Sequence, residues 1–155
     1  MSGGSVSGIL STVVLGLLVS GSGCERSPRP SARNLEIGGV IVRAELAATP
    51  EQRARGLQGR SRLGMNEGML FTFPRPVEDA FWMRDVLLPL SIAFFNPDGV
   101  VLSIQEMAPD GGQKLYRSPL PYQYALEMNQ GWFAKKGIGP GDVVQGVLAV
   151  PAAQP

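Results

Sequence analysis

Aromatic and charged side chains fall together at Trp82, Arg84 and Asp85, and again further along at Glu106, Tyr116, Glu127 and Trp132. Rings bury the apolar faces of sugars or peptides while neighbouring charges fix their orientation. These seven residues are therefore the candidate ligand site. Asp85, Glu106 and Glu127 could also supply an acid/base pair, if two of them stand about 5–9 Å apart. A plainer reading stays open for each: Trp82 and Trp132 as core, Arg84 and Asp85 as a surface pair, Glu127 as partner to a backbone group or an arginine. A second cluster, Arg53, Arg55, Arg60 and Arg62, makes a local basic patch that could meet anionic headgroups or polymer phosphates. On a helix Arg53 and Arg55 cannot share a face, and Arg60 is the one expected in an internal salt bridge.

The remaining composition narrows the chemistry. The 155 residues carry 14 Lys+Arg, 13 Asp+Glu, no histidine and one cysteine. Without histidine there is no Ser-His-Asp triad, Cys-His dyad or imidazole metal site. A single cysteine permits neither an internal disulfide nor a thiolate zinc cluster. Methionines 65, 69, 83, 107 and 128 are spread along the chain, as core filling would have them, so no metal is expected. No phosphate-cradling G-x-G-x-x-G segment occurs and no cofactor is expected. A net charge of +1 offers no field for nucleic acid.

That cysteine, Cys24, has a context. All 27 charged side chains follow Gly23, and an apolar run from Ile9 to Val19 matches a signal-peptide core in length while falling short of a bilayer span. The stretch ending Ser20-Gly21-Ser22-Gly23-Cys24 resembles a bacterial lipoprotein signal, which implies lipidation of Cys24 as the mature N-terminus. An ordinary cleaved signal with an incidental cysteine is the alternative. The expected organisation is a signal peptide over 1–23, a Pro-rich tether over 24–33 and a single domain over 34–150. The protein is expected to be exported and held by its N-terminal lipid to a membrane, at the cell surface or in the periplasm.

Elements must then hold the candidate residues in place. Leu35–Leu46 reads as two strand arms around Gly38-Gly39, a two-residue hairpin signal. Asn96-Pro97-Asp98-Gly99 joins Leu90–Phe95 to Val100–Met107 as a second hairpin. Gly68–Phe73, Ala80–Arg84, Tyr122–Met128 and Asp142–Val150 add further strands. Thr49-Pro50-Glu51-Gln52 is a capping box that opens a helix ending near Gly56. A second helix is expected from Asn129 to Lys136, stopped by Gly137. The fold class is mainly β, a β-rich α+β domain whose small barrel-like or sandwich sheet has about eight short strands with two short helices.

Six ordered blocks carry a resemblance: ATPEQRARGLQGR (48–60), EGMLFTF (67–73), FWMRDVLLPLSIAFFNPDG (81–99), EMAP (106–109), YRSP (116–119) and YALEMNQGWFAKKGIGPGD (124–142). Together they resemble the domain-of-unknown-function 192 family, also called uncharacterised protein family 0127. The resemblance implies a small, mainly β domain and no established activity. Where members usually read Lys-Asn-Thr and later Asp, this chain has Arg84, Asp85, Val86 and Ser91. A mechanism needing that Lys or Asp is lost, whereas anion binding survives through the Arg84 guanidinium. The expected function is a non-catalytic envelope module binding an envelope polymer, peptide or partner protein. The alternative is a carboxylate-dependent hydrolase or lyase acting on an envelope glycan.

Overall fold

The computed structural model describes residues 31–147, together with 1, 3 and 4. The expected leader, Cys24 and most of the tether lie outside the described residues. Ala32 and Arg33, expected to close the tether, already pair as the start of the first strand.

Seven strands form one curled half-barrel sheet, with two short helices. They are β1 (Ala32–Ile37), β2 (Val40–Ala47), β3 (Glu67–Val77), β4 (Leu90–Phe95), β5 (Val101–Met107), β6 (Tyr122–Asn129) and β7 (Val144–Gln145), with α1 (Pro50–Arg55) and α2 (Trp132–Lys135) between them. Their order across the sheet is β5-β4-β6-β3-β2-β1-β7. All pairs are antiparallel except β2 with β3. A parallel pair cannot close through a tight turn and needs a crossover. That crossover carries α1.

Both expected hairpins form. Gly38 and Gly39 both have positive φ, 57° and 73°, as the twist-matched two-residue turn requires. In the second, the Asn96 side chain accepts from the amides of Asp98 and Val100 at 3.0 and 2.9 Å. The capping box of α1 is complete in both directions, Thr49 with the Gln52 amide and Gln52 with the Thr49 amide.

Three expectations are corrected. Ala80–Arg84 is not a strand; only Phe81 bridges, to Tyr116, because the segment runs over the sheet face rather than along an edge. The second helix starts at Trp132 instead of Asn129. Gly131 occupies its cap with φ 74°, while Asn129 still belongs to β6 and donates its side-chain amide to Leu63 and Gly64 carbonyls. The last strand is only Val144–Gln145 among the described residues.

The sheet's curl gives two apolar layers. On one face Leu35, Val42, Leu46, Leu126, Met128, Trp132 and Phe133 close a core. On the other, Phe71, Phe73, Met83, Ile92, Phe94 and Tyr122 pack beneath the connections. Strands β3, β4 and β6 are thus buried on both faces, which explains why they read as continuous apolar runs without alternation.

Candidate functional site

A cleft of about 280 Å³ opens on the second layer. Its floor is sheet: Phe71 and Phe73 of β3 and Glu127 of β6. One wall is α1 and the turn after it, with Arg53 and Leu57. The other is the segment 79–86, with Phe81, Trp82 and Arg84. The Phe71 and Phe81 rings meet edge to face at 4.9 Å and 89°, which sets one wall against the floor.

Local chemistry fixes each wall. The Arg53 guanidinium donates to the carbonyls of Ala48 and Thr72, the latter at 3.0 Å, and stacks 4.7 Å from the Phe73 ring. It is a clamp between α1 and β3. Across the cleft, the Tyr122 hydroxyl donates to the Asp79 carbonyl at 3.0 Å, and Phe81 and Tyr116 exchange backbone hydrogen bonds at 2.9 Å. Burial, then the charge of Asp79, pushes the Tyr122 hydroxyl well above the usual phenol range, so it stays a donor. The walls are tied to each other where the Gly59 amide donates to the Asp85 carbonyl at 3.0 Å.

Asp85 has φ 57°, the left-handed region that Asp and Asn tolerate best among residues with a side chain. Its contribution is this backbone turn. The turn at Asp110, whose carboxylate accepts from the amides of Gly112, Gln113 and Lys114, packs behind Arg84. Gly112 has φ 86°, and a Cβ there would sit 3.0 Å from the Arg84 Cβ and 3.2 Å from its backbone nitrogen, so a side chain at this position would be strained and crowded.

Glu127 dominates the electrostatics. It is 5% exposed, and among the described residues nothing hydrogen-bonds or ion-pairs with its carboxyl. Burial alone pushes its pKa from 4.5 up to about 8, with no nearby charge or donor offsetting the effect. At neutral pH the carboxyl is mainly protonated. At the mouth, Trp82 is 41% exposed with the Arg84 guanidinium 5.5 Å from its ring. The two ion pairs among the described residues are Arg43–Glu67 and Arg60–Glu45, so Arg84 is left without a carboxylate. The Arg60 pair is the internal salt bridge expected from the sequence.

Of the seven candidate residues, the cleft brings together Trp82, Arg84 and Glu127. Asp85 shapes the wall through its backbone. Tyr116 is buried below Phe81, its hydroxyl oxygen accepting from the Ala108 amide at 3.3 Å. Trp132 is core, 4% exposed, and donates to the Asn66 side chain at 3.1 Å. Glu106 lies across the sheet from Glu127. It pairs in register with Ser91, which in turn pairs with Met128, whose face belongs to the opposite layer. There both its oxygens accept from the Ser91 hydroxyl at 2.8 Å, and the Gly131 amide donates to Ser91 Oγ at 2.8 Å and to Glu106 at 3.2 Å. Ser91 and Glu106 together present oxygen acceptors to that amide. No group of three or more Cys, Asp or Glu converges at metal-binding spacing among the described residues.

Sequence reading missed Phe71, Phe73, Phe81 and Asp79 as lining residues and placed Arg53 in a surface patch. One residue that the sequence did name carries its own signal of burial. Glu127 interrupts a run, YALEM, that is otherwise apolar on both faces, and a carboxylate there has no solvent side to turn to.

Comparison with known proteins bears on this geometry. No curated protein matches the chain. Among solved structures, a proposed transcription regulator from Sinorhizobium meliloti 1021 is similar, with 30% identity and a TM-score of 0.72, covering 76% of this chain and 95% of its own. A protein of unknown function from Novosphingobium aromaticivorans DSM 12444 is similar at 31% identity and a TM-score of 0.71, covering 92% of this chain and 99% of its own. Residues 33–146 match the family described as DUF192, Uncharacterized ACR. That match spans the sheet, both helices and every residue of the cleft, and the chain belongs to the DUF192 family.

Proposed function

We propose that this protein is a non-catalytic binding module of the cell envelope, exported and held to a membrane by lipid on Cys24, whose cleft takes part of an envelope polymer, peptide or partner protein. The observation that supports the binding reading best is the carboxyl of Glu127. That carboxyl lines the cleft while burial raises the cost of ionising it. A ligand can supply the partner that the protein does not. The aromatic walls and the unpaired Arg84 supply burial and orientation for that ligand. Export and lipidation rest on the sequence pattern around Cys24. The transcription-regulator description of the Sinorhizobium relative is not extended to this chain, whose charges balance to +1.

The reading is tested by titrating the protein with solubilised envelope-polymer fragments and following Trp82 emission and calorimetric heat. Arg84→Ala and Trp82→Ala are each expected to weaken binding by about 1–2 kcal/mol. Full affinity in both variants rejects the cleft as the site. Loss of metabolic palmitate labelling in Cys24→Ala is the expected outcome for the anchor, and unchanged labelling overturns it.

The enzymatic alternative keeps one observation in its favour, since a carboxyl held protonated near neutrality is what a general acid requires. Its second carboxylate would be Asp79, which lines the cleft, rather than Asp85 or Glu106, which do not. Glycan cleavage abolished equally by Asp79→Asn and Glu127→Gln would favour it over the binding reading.

A further inference from the structure

We infer that the cleft receives the α-carboxylate of an apolar residue, its oxygens set between the Glu127 carboxyl and the wall arginines and its side chain against the aromatic floor. The inference rests on the cleft being a binding site and names the chemistry of its occupant.

Charge and shape converge on it. Three guanidinia, those of Arg53 and Arg55 on α1 and of Arg84 on the opposite segment, line the cleft against Asp79 as the one other carboxylate beside Glu127. Arg53 is held by the carbonyls of Ala48 and Thr72 and by the Phe73 ring, yet keeps its charge there. Neither Arg55 nor Arg84 pairs with a carboxylate among the described residues. The field in the cleft therefore favours an anion and opposes a cation. A carboxylate meets a guanidinium through two parallel hydrogen bonds. Below it, the buried Glu127 carboxyl is without a partner among the described residues and at neutral pH presents an O–H. Hydrogen bonds from such a group to a carboxylate are among the strong ones. A phosphate ester, with about two negative charges, would bring more charge to a floor that has a single hydrogen to offer.

The rest of the residue has its place too. Phe71, Phe73, Phe81 and Leu57 take an apolar side chain. Gln58 donates its side-chain amide to the Ala54 carbonyl at 3.1 Å, which leaves its oxygen to accept from an N–H of the ligand, as Asp79 also can. A volume of about 280 Å³ lies at the small end of ligand pockets and suits one residue.

Binding is tied to the proton at the floor. Burial pushes the Glu127 carboxyl up to about 8, and an anion beside it pushes it further. Where the free protein has lost that proton, binding takes one up, so affinity is level near pH 7 and falls as pH rises through 8. The charged groups facing Glu127 from the surrounding elements are Arg53, Arg55, Asp79 and Arg84. In its own row of the sheet stand Met69 and then Glu45 on one side, Ile92 and then Gln105 on the other, with Glu45 already paired to Arg60. The chain has no histidine to titrate in this interval.

The test uses the full chain and four probes at matched concentrations: Nα-acetyl-phenylalanine, its methylamide, free phenylalanine and phenyl phosphate. Binding is followed by shifts of the Trp82 indole resonance and by calorimetry. The acetylated acid is expected to bind at least about tenfold tighter than its methylamide and than phenyl phosphate, and to weaken about tenfold between pH 7 and 9. Arg84→Ala should lose most of the preference for the acid over the methylamide. Glu127→Gln keeps an N–H to donate, so it should retain binding at pH 7 and lose the weakening at pH 9. Free phenylalanine binding about tenfold weaker than the acetylated acid assigns the carboxylate to a peptide terminus, and equal binding assigns it to a free amino acid. A methylamide that binds as tightly as the acid, or a tighter phenyl phosphate, overturns the carboxylate assignment and leaves the cleft as a binding site. The same loss at pH 9 in Glu127→Gln as in the parent overturns the placement of the carboxylate against the floor. Perturbation of Trp82 by none of the four, at concentrations that saturate weak ligands, overturns the assignment altogether; the envelope-fragment titration then decides separately whether the cleft binds anything.

Discussion

Two glutamates sit on opposite faces of the same sheet, and the fold treats them differently. Glu106 of β5 meets the Ser91 hydroxyl and the Gly131 amide, and so anchors the start of α2. Glu127 of β6 faces the cleft, and among the described residues no group hydrogen-bonds or ion-pairs with it. The face with Glu106 closes over Trp132 and Phe133, while the face with Glu127 is roofed only by connections that leave a gap. Structural carboxylates are engaged by the protein. One that is buried and left unengaged is the feature on which the proposed binding role rests.

The contrast can be broken most forcefully through its two tryptophans. Trp132→Ala empties the closed face and is expected to cost about 3–5 kcal/mol in denaturant unfolding. Trp82→Ala at the cleft mouth should stay within about 1 kcal/mol. Comparable losses would mean that Trp82 serves the core as well.

Next in size is the carboxyl itself. The unfolded chain ionises Glu127 near 4.5 while the folded protein holds the proton to about 8. Between those values the folded state binds more protons, so stability falls as pH rises. Glu127→Gln removes that slope. Above pH 8 the variant is expected to be more stable than the parent by about 4 kcal/mol, with the difference vanishing near pH 4, as thermal unfolding across pH will show. An equal advantage at both ends would point to packing instead of charge.

The smallest effect belongs to the engaged side. Ser91→Ala leaves the Gly131 amide with only its longer bond to Glu106, and about 1 kcal/mol of stability should go. Hydrogen exchange at Gly131 is expected to quicken while amides around the cleft keep their rates.

Much of the scaffold was legible beforehand. Gly38-Gly39, Asn96-Pro97-Asp98-Gly99 and the Thr49–Gln52 box state local conformations in few residues, and each formed. Segments governed by distant contacts were not. Ala80–Arg84 has the composition of a strand, yet its amides face connections rather than a neighbouring edge. Asn129 looks like a helix cap until its side chain is claimed by carbonyls at Leu63 and Gly64, some 65 residues earlier in the chain. For the site, Trp82, Arg84 and Glu127 were named, but so were Glu106 and Trp132. Strands buried on both faces give no alternation from which to tell the faces apart.

The tie between Gly59 and Asp85 joins two stretches that are both connections, while every floor residue is strand. The opening is therefore framed by the parts of a chain that best tolerate insertion and exchange. Its base is locked into a seven-strand register in which a one-residue slip would turn Glu127 to the wrong side. Relatives can then acquire new preferences at the mouth by rewriting 56–66 or 78–86, with the sheet, and the carboxyl it carries, inherited unchanged.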